Sequence, residues 1–337
     1  MTSYPAPPQP HIRHRLPAWA RVLLSGLLLW VATVVITFGT GNPNLVPTII
    51  LLGSFLIPVT FVVYAFERAD EVLTAQRIFT AFIYGGVLGV LGATVLEAAL
   101  LQQPSGLLSY VGVGLIEEAV KLAALWALAR RLPWYTLRDG MVLGAAVGFG
   151  FAALESAGYA FTALFGSSGL SLLNLVETEA LRGVLAPFGH GLWTAILGGA
   201  LFATAARSRH ARPRLRGSLL GWYLLMVLLH GLWDASSSIA NWLTLLLTGT
   251  PTQWTLIGQG QAPAVTQTQV HVYTAINWGL LLLDAAIGVA ILVIRWHKQS
   301  TTHPTAVPLL APPAPRTSTA PPTQATLPES ATAAARS

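Results

Sequence analysis

Residues 107–129 read LLSYVGVGLIEEAVKLAALWALA, a run long enough to span a bilayer and apolar apart from three ionisable side chains. These are Glu117, Glu118 and Lys121. A charged side chain at the centre of a bilayer costs roughly 2.5–3.5 kcal/mol on insertion scales, so such residues face a protein interior or a water-filled cavity. The stretch therefore predicts a membrane helix that turns a polar face toward neighbouring helices.

The rest of the chain has the composition of a membrane protein. It has 337 residues, of which 53% are hydrophobic and only 9% charged, whereas about 25% of the residues of a soluble domain are charged. We predict an all-α, polytopic integral membrane helix bundle, because the sequence contains about eight apolar runs of spanning length: 19–40, 46–66, 79–101, 107–129, 140–165, 183–206, 217–245 and 276–296. The first run is expected to be a retained helix rather than a removed signal peptide.

The basic residues predict the orientation of these helices. All but two of the 19 lysines and arginines fall in the segments that one side of the membrane would hold, the exceptions being Lys121 and Arg182. The positive-inside rule then places both termini in the cytoplasm of a multi-pass protein of the cell membrane. Because the net charge of +6 reflects this sorting, it indicates no nucleic-acid partner. The absence of cysteine excludes disulfides, thiol nucleophiles and thiolate metal ligands.

Composition also divides the chain into three parts. We predict a cytoplasmic N-terminal segment over 1–18 and a transmembrane domain over 19–298. Residues 299–337 are rich in proline, alanine and threonine, so we predict a disordered cytoplasmic tail there.

Four consecutive predicted helices carry ionisable residues at a similar depth, roughly 10–20 Å below the outer surface at 1.5 Å per residue. They are Glu117, Glu118, Lys121, Glu155, His190, His230 and Asp234. His230 and Asp234 share a helix face because they are four residues apart. The adjacent glutamates point roughly 100° apart, so we expect one to pair with Lys121 and the other to face a cavity. The sequence therefore predicts one buried polar site.

At these residues the chain resembles the PrsW family of intramembrane proteases, distant relatives of the CAAX-processing and bacteriocin-immunity proteases. The resemblance covers about 107–245, the motif core, and rests on four motifs in order: Glu117-Glu118-Ala119-Val120-Lys121, Phe151 to Glu155, Arg182 followed by Gly189-His190-Gly191-Leu192-Trp193-Thr194, and His230-Gly231-Leu232-Trp233-Asp234. Ser156 departs from the family pattern, in which asparagine follows the glutamate in many members.

The resemblance implies peptide-bond hydrolysis inside the membrane by a transmembrane protease domain. The catalytic residues it implies are Glu117, Glu118, Glu155, His190, His230 and Asp234, with Lys121 as structural support. Two routes remain open. In one, Glu155, His190 and His230 bind a divalent ion such as Zn²⁺ and Glu117 is the base. In the other, no metal is bound: Glu117 activates water and the two histidines stabilise the oxyanion.

The expected substrate is a membrane-anchored protein cut near the extracytoplasmic side, because the polar residues lie nearer that surface. An anti-sigma factor is one candidate, from the family's association with signalling. The same buried residues would also suit a proton- or ion-coupled transporter, although no paired inverted halves are evident. A third interpretation is a non-enzymatic binding or immunity-type membrane protein that keeps the pocket without turnover.

Overall fold

The computed structural model describes residues 16–101, 106–166, 169–206 and 212–300, and most of these residues are helical. The helices are α1 (Ala18–Thr40), α2 (Val46–Phe66), α3 (Ala75–Ile83), α4 (Gly89–Leu100), α5 (Leu107–Ala129), α6 (Leu137–Ala163), α7 (Leu172–Leu185), α8 (His190–Ala206), α9 (Gly217–Thr248), α10 (Pro251–Gly258) and α11 (Gln267–Ser300). Strands β1 (Phe165–Gly166) and β2 (Gly169–Leu170) form a small antiparallel hairpin. The predicted tail from 301 and the first 15 residues of the N-terminal segment lie outside the described residues.

Seven segments of the described chain are long and apolar enough to cross a membrane: α1, α2, α3 with α4, α6, α7 with α8, α9, and α11. Each overlaps one of the runs predicted from sequence, so the all-α membrane bundle is confirmed. The eighth predicted run is α5, which has the same length as α1, 23 residues, but carries three charged side chains. Glu118 and Lys121 on α5 are fully buried, so these charges face other helices and not lipid.

Helix α6 lies at the centre of the bundle and is the most buried of the spans. It packs against α8 on one side and against α2 and α3 on another. The contact with α8 is a contact of backbones: a Cβ at Gly144 or Gly148 would overlap the carbonyl oxygen of Thr194 or His190. Gly140, Gly144 and Gly148 form a stripe of small residues at four-residue spacing that lets the two helices approach closely. This contact brings the start of α8 against α6.

The chain between α6 and α8 contains regular secondary structure. Residues 166–182, predicted as an outer loop, contain most of the hairpin and of α7, and the run 183–206 is broken by a 3₁₀ turn at Ala186–Phe188. Helix α7 is held in place because Leu175 packs in a core with Ile49 and Ala160. As a result α8 begins at His190.

Candidate active site

The charged face of α5 points into the bundle toward α6, α8 and α9. The ammonium of Lys121 donates to Glu118 Oε1 at 2.7 Å and to Glu117 Oε2 at 3.3 Å. The expected pairing of one glutamate with Lys121 is thus found for Glu118, and Glu117 is the more weakly held of the two. The second oxygen of Glu118, Oε2, is buried without a hydrogen bond to any described residue.

His230 connects α9 to both glutamates. Its Nδ1 lies 3.0 Å from Glu118 Oε1, while its Nε2 faces Glu117 Oε2 at 3.6 Å and Asp234 Oδ2 at 3.4 Å. The hydrogen bond to Glu118 orients the ring so that Nε2 is turned toward the other two carboxylates. His230 is almost completely buried, whereas Asp234 is partly exposed.

His190 makes the corresponding connection from the first residue of α8. Its Nε2 lies 2.9 Å from Glu155 Oε2, and its Nδ1 lies 2.7 Å from the ammonium of Lys121. Because an ammonium can only donate, Nδ1 accepts, and the N–H at Nε2 donates a hydrogen bond to Glu155 Oε2. His190 Nδ1 also lies 3.9 Å from Glu117 Oε2. Each histidine therefore bonds one carboxylate through one nitrogen and turns the other toward Glu117.

Arg182 is the residue of this site that sequence reasoning left without a role. It lies on α7 and bonds Glu155 Oε2 through its terminal nitrogen and Ser156 Oγ through Nε, at 2.8 Å for the latter. Its guanidinium also stacks over Tyr159 at 4.3 Å. Ser156, the departure from the family pattern, thus acts as an acceptor for Arg182. The available signal was that Arg182 is the one basic residue in the predicted outer loops.

Aromatic side chains enclose the cluster. Trp193 stacks on His230 with ring centroids 4.8 Å apart and meets His190 edge-on at 5.4 Å. The ammonium of Lys121 lies 4.2 Å from the centre of the Phe151 ring, a cation–π contact. These rings exclude water from the inner part of the cluster, which strengthens the electrostatic interactions there.

A small cavity opens onto the outer part of the cluster. Its volume is about 80 Å³, room for a few water molecules at roughly 10–15 Å³ each. The ionisable residues among those that line it are Glu155, Tyr159, Arg182, His190 and Asp234. The cavity is lined by residues of α6, α7, α8 and α9 and of the turn before α8. Glu117, Glu118, Lys121 and His230 are not part of this lining, so they lie deeper in the cluster.

Three groups are arranged to hold a metal ion. Glu117, His190 and His230 each offer a ligand atom, and these atoms lie within 4.8 Å of one another. Two imidazoles and a carboxylate form a known catalytic zinc set, so the donor chemistry fits. The ammonium of Lys121 contacts two of these donors, Glu117 Oε2 and His190 Nδ1. A metal ion bound to His190 Nδ1 would therefore replace the hydrogen bond from Lys121 to that nitrogen. Glu155, the carboxylate expected from sequence in this set, is bonded to His190 and Arg182.

The sequence model of the PrsW family intramembrane metalloproteases matches residues 74–258. The match covers more than half of the chain and includes α3 to α10 with every site residue described above. Neither a curated protein nor a solved structure matches this chain.

Proposed function

Since this chain belongs to the PrsW family of intramembrane metalloproteases, we propose that it hydrolyses a peptide bond of a membrane-anchored protein at the cluster of α5, α6, α8 and α9. The chain is a multi-pass membrane protein and a protease by family, and the finer assignment rests on one observation. Four carboxylates, two histidines and two cations form a continuous, largely buried network beside a cavity large enough for water.

We propose that Glu117, His190 and His230 hold a divalent ion, with Zn²⁺ the best match to these donors. The hydrogen bonds of the histidines support this assignment. A metal-bound histidine almost always gives its second nitrogen to a carboxylate or carbonyl, which orients the ring. Glu155 fills this role for His190 and Glu118 fills it for His230. The ion, when bound, would polarise the scissile carbonyl and increase the acidity of the attacking water.

The carboxylate left for proton transfer is Asp234, which lines the cavity and lies one helical turn from His230. In this proposal Asp234 Oδ2 takes the proton of the attacking water and delivers it to the nitrogen of the leaving amine. Lys121 and Glu118 position the ligands, and Arg182 holds Glu155. Without a metal, Glu117 would be the base and the histidines would stabilise the oxyanion.

We propose further that cleavage occurs near the extracytoplasmic side of the cell membrane, with both termini cytoplasmic. The sorting of lysine and arginine supports this orientation. The cavity adjoins α7 and the turn before α8, on the side opposite the arginine-rich connections. An anti-sigma factor is one membrane-anchored protein that would satisfy this geometry.

Replacing Glu117 by glutamine tests the proposed function. The substitution keeps size and polarity but removes the charge, and we expect cleavage to fall at least about 100-fold, as for other single catalytic groups. The measurement compares the membrane proteome of cells carrying Glu117→Gln with that of cells carrying Glu177→Gln, a control because Glu177 is exposed on α7. At least one membrane protein should accumulate uncut in the first cells only. A change in proton-driven uptake with no uncut protein would favour a transporter instead.

Metal content separates the two catalytic routes. Purified wild-type protein should contain about one zinc ion per chain, and a variant with His190→Ala and His230→Ala should contain almost none. Glu155→Gln should keep most of the metal, whereas Glu117→Gln should lose it, because only Glu117 is proposed as a ligand. Equal, near-zero zinc in wild type and in the double variant would exclude the metal route.

A further inference from the structure

A second polar cavity lies at the opposite, arginine-rich end of the bundle. Its volume is about 260 Å³, and it is enclosed by the end of α2, the segment after it, and the starts of α3 and α6 together with α11. The lining includes two arginines, two aspartates and several aromatic side chains: Arg68, Arg138, Asp70, Asp139, Phe61, Tyr64 and Trp296. None of these residues belongs to the proposed active site.

The arginines and the aspartates of this cavity do not pair with each other. Among the described residues, neither arginine forms a salt bridge with Asp70, Asp139 or any other carboxylate. Arg68 instead stacks on Tyr64 at 3.8 Å, and Arg138 lies over Trp296 at 5.8 Å. Arg68 also donates from Nη1 to the carbonyl oxygen of Tyr64 at 3.3 Å. Stacking fixes a guanidinium while leaving its other N–H groups free to bind an anion.

The carboxylates are held in place by the fold. Asp70 Oδ1 accepts hydrogen bonds from the backbone N–H groups of Val72 and Leu73, at 2.8 and 2.7 Å. Asp139 is buried in the first turn of α6. A ligand that fits this cavity must therefore offer a negative group to the arginines and a positive group to the aspartates, and it must tolerate an apolar wall.

We propose that this cavity binds the headgroup of a zwitterionic phospholipid with a primary amine, phosphatidylethanolamine. The phosphate would receive hydrogen bonds from Arg68 and Arg138, and the ammonium would donate to Asp70 and Asp139. The acyl chains would leave along Phe61 and Trp296 into the bilayer. Basic pockets between membrane helices at this level are typical sites for lipid headgroups, and the two aspartates select against a purely anionic lipid.

Native mass spectrometry of the purified full-length protein, mixed with equal amounts of phosphatidylethanolamine, phosphatidylglycerol and phosphatidylcholine, tests the proposal. Wild type should retain phosphatidylethanolamine in preference to the other two. Arg68→Gln should weaken retention of this lipid roughly tenfold, the effect of losing one hydrogen bond between charged groups. Arg130→Gln is the matched control, because Arg130 stacks on Trp126 near the same end of the bundle but does not line the cavity.

Asp70→Asn tests the selectivity. Asparagine can still accept from Val72 and Leu73, so the local fold should persist, but the charge that attracts the ammonium is lost. We expect this variant to shift from phosphatidylethanolamine toward phosphatidylglycerol. A wild type that prefers phosphatidylglycerol, or one whose lipid retention is equal to that of Arg68→Gln, would overturn the proposal. Cleavage by these variants is a separate readout, so failure here leaves the proposed protease function untouched.

Discussion

At the scale of single residues, the adjacent glutamates of α5 differ in their distances to Lys121, 2.7 Å for Glu118 and 3.3 Å for Glu117. The order of the motifs and the cost of burying charge were sufficient to select Glu117, Glu118, His190 and His230, and the structure brings them together. The choice of the glutamate that pairs with Lys121 rests on a difference of less than 1 Å between two side-chain distances. The helical repeat of a sequence does not determine so small a difference. The two glutamates therefore receive different proposed roles only from the geometry.

Arg182 lay beyond sequence reasoning because its partners Glu155 and Ser156 are more than 25 residues away in the chain. We expect Arg182→Gln to lower cleavage about 10- to 100-fold, as loss of a group that orients a ligand does. Glu155 would lose its charged partner and hold His190 less firmly. Arg182→Lys should restore part of the activity. Cleavage of a membrane-anchored reporter, together with thermal unfolding in detergent, provides the measurement, and an Arg182→Gln variant as active as wild type would contradict the positioning role.

At the scale of elements, the helices followed from hydropathy and the connections did not. Apolar runs predict where spans lie because the bilayer demands about 20 apolar residues. The 3₁₀ turn at Ala186–Phe188 and helix α7 depend on contacts with α2 and α6, which no local pattern reveals. Glu179 on α7 accepts a hydrogen bond from Ser54 on α2, while Arg182, three residues later, binds α6. Helix α7 thus links α2 to Glu155.

The contact of α6 with α8 predicts a sharp difference between two glycines of one helix. Gly148→Ala would place a methyl group against the carbonyl oxygen of His190. Because this oxygen belongs to the backbone, it can move away only if helix α8 shifts. We expect a loss of about 1–3 kcal/mol in the free energy of unfolding, as for other overpacked cores, and reduced cleavage because His190 moves. Gly158→Ala is the control: no atom lies within 4 Å of its added Cβ, so it should be neutral or slightly stabilising. Equal unfolding of both variants in detergent would contradict the close contact.

At the scale of the whole molecule, the distribution of basic residues and the number of helices predict the same membrane topology. If the seven candidate spans and α5 all cross the membrane, the number of crossings is even and both ends of the described chain would lie on the same side. The arginine-rich connections would then share that side, in keeping with the positive-inside rule. This topology stays a prediction, and it can be made from sequence alone because the rule depends on loop composition and not on packing.

Reporter fusions check that topology. Alkaline phosphatase, which is active only outside the cytoplasm, should be active when inserted after Gly260, in the connection between α10 and α11. The same enzyme fused after Ser337 should be inactive, while green fluorescent protein fused there should fluoresce. Strong phosphatase activity at Ser337 would reverse the proposed orientation and move the cleavage site to the cytoplasmic half of the membrane.

The ion pairs of the buried network imply an unbalanced charge. Its four carboxylates, on Glu117, Glu118, Glu155 and Asp234, face only two fixed cations, Lys121 and Arg182. With both histidines neutral, the network carries an excess of two negative charges in a medium that opposes any net charge. A divalent ion would restore electroneutrality, and so would two protons. Metal uptake by this protein should therefore release about two protons per ion into a weakly buffered solution.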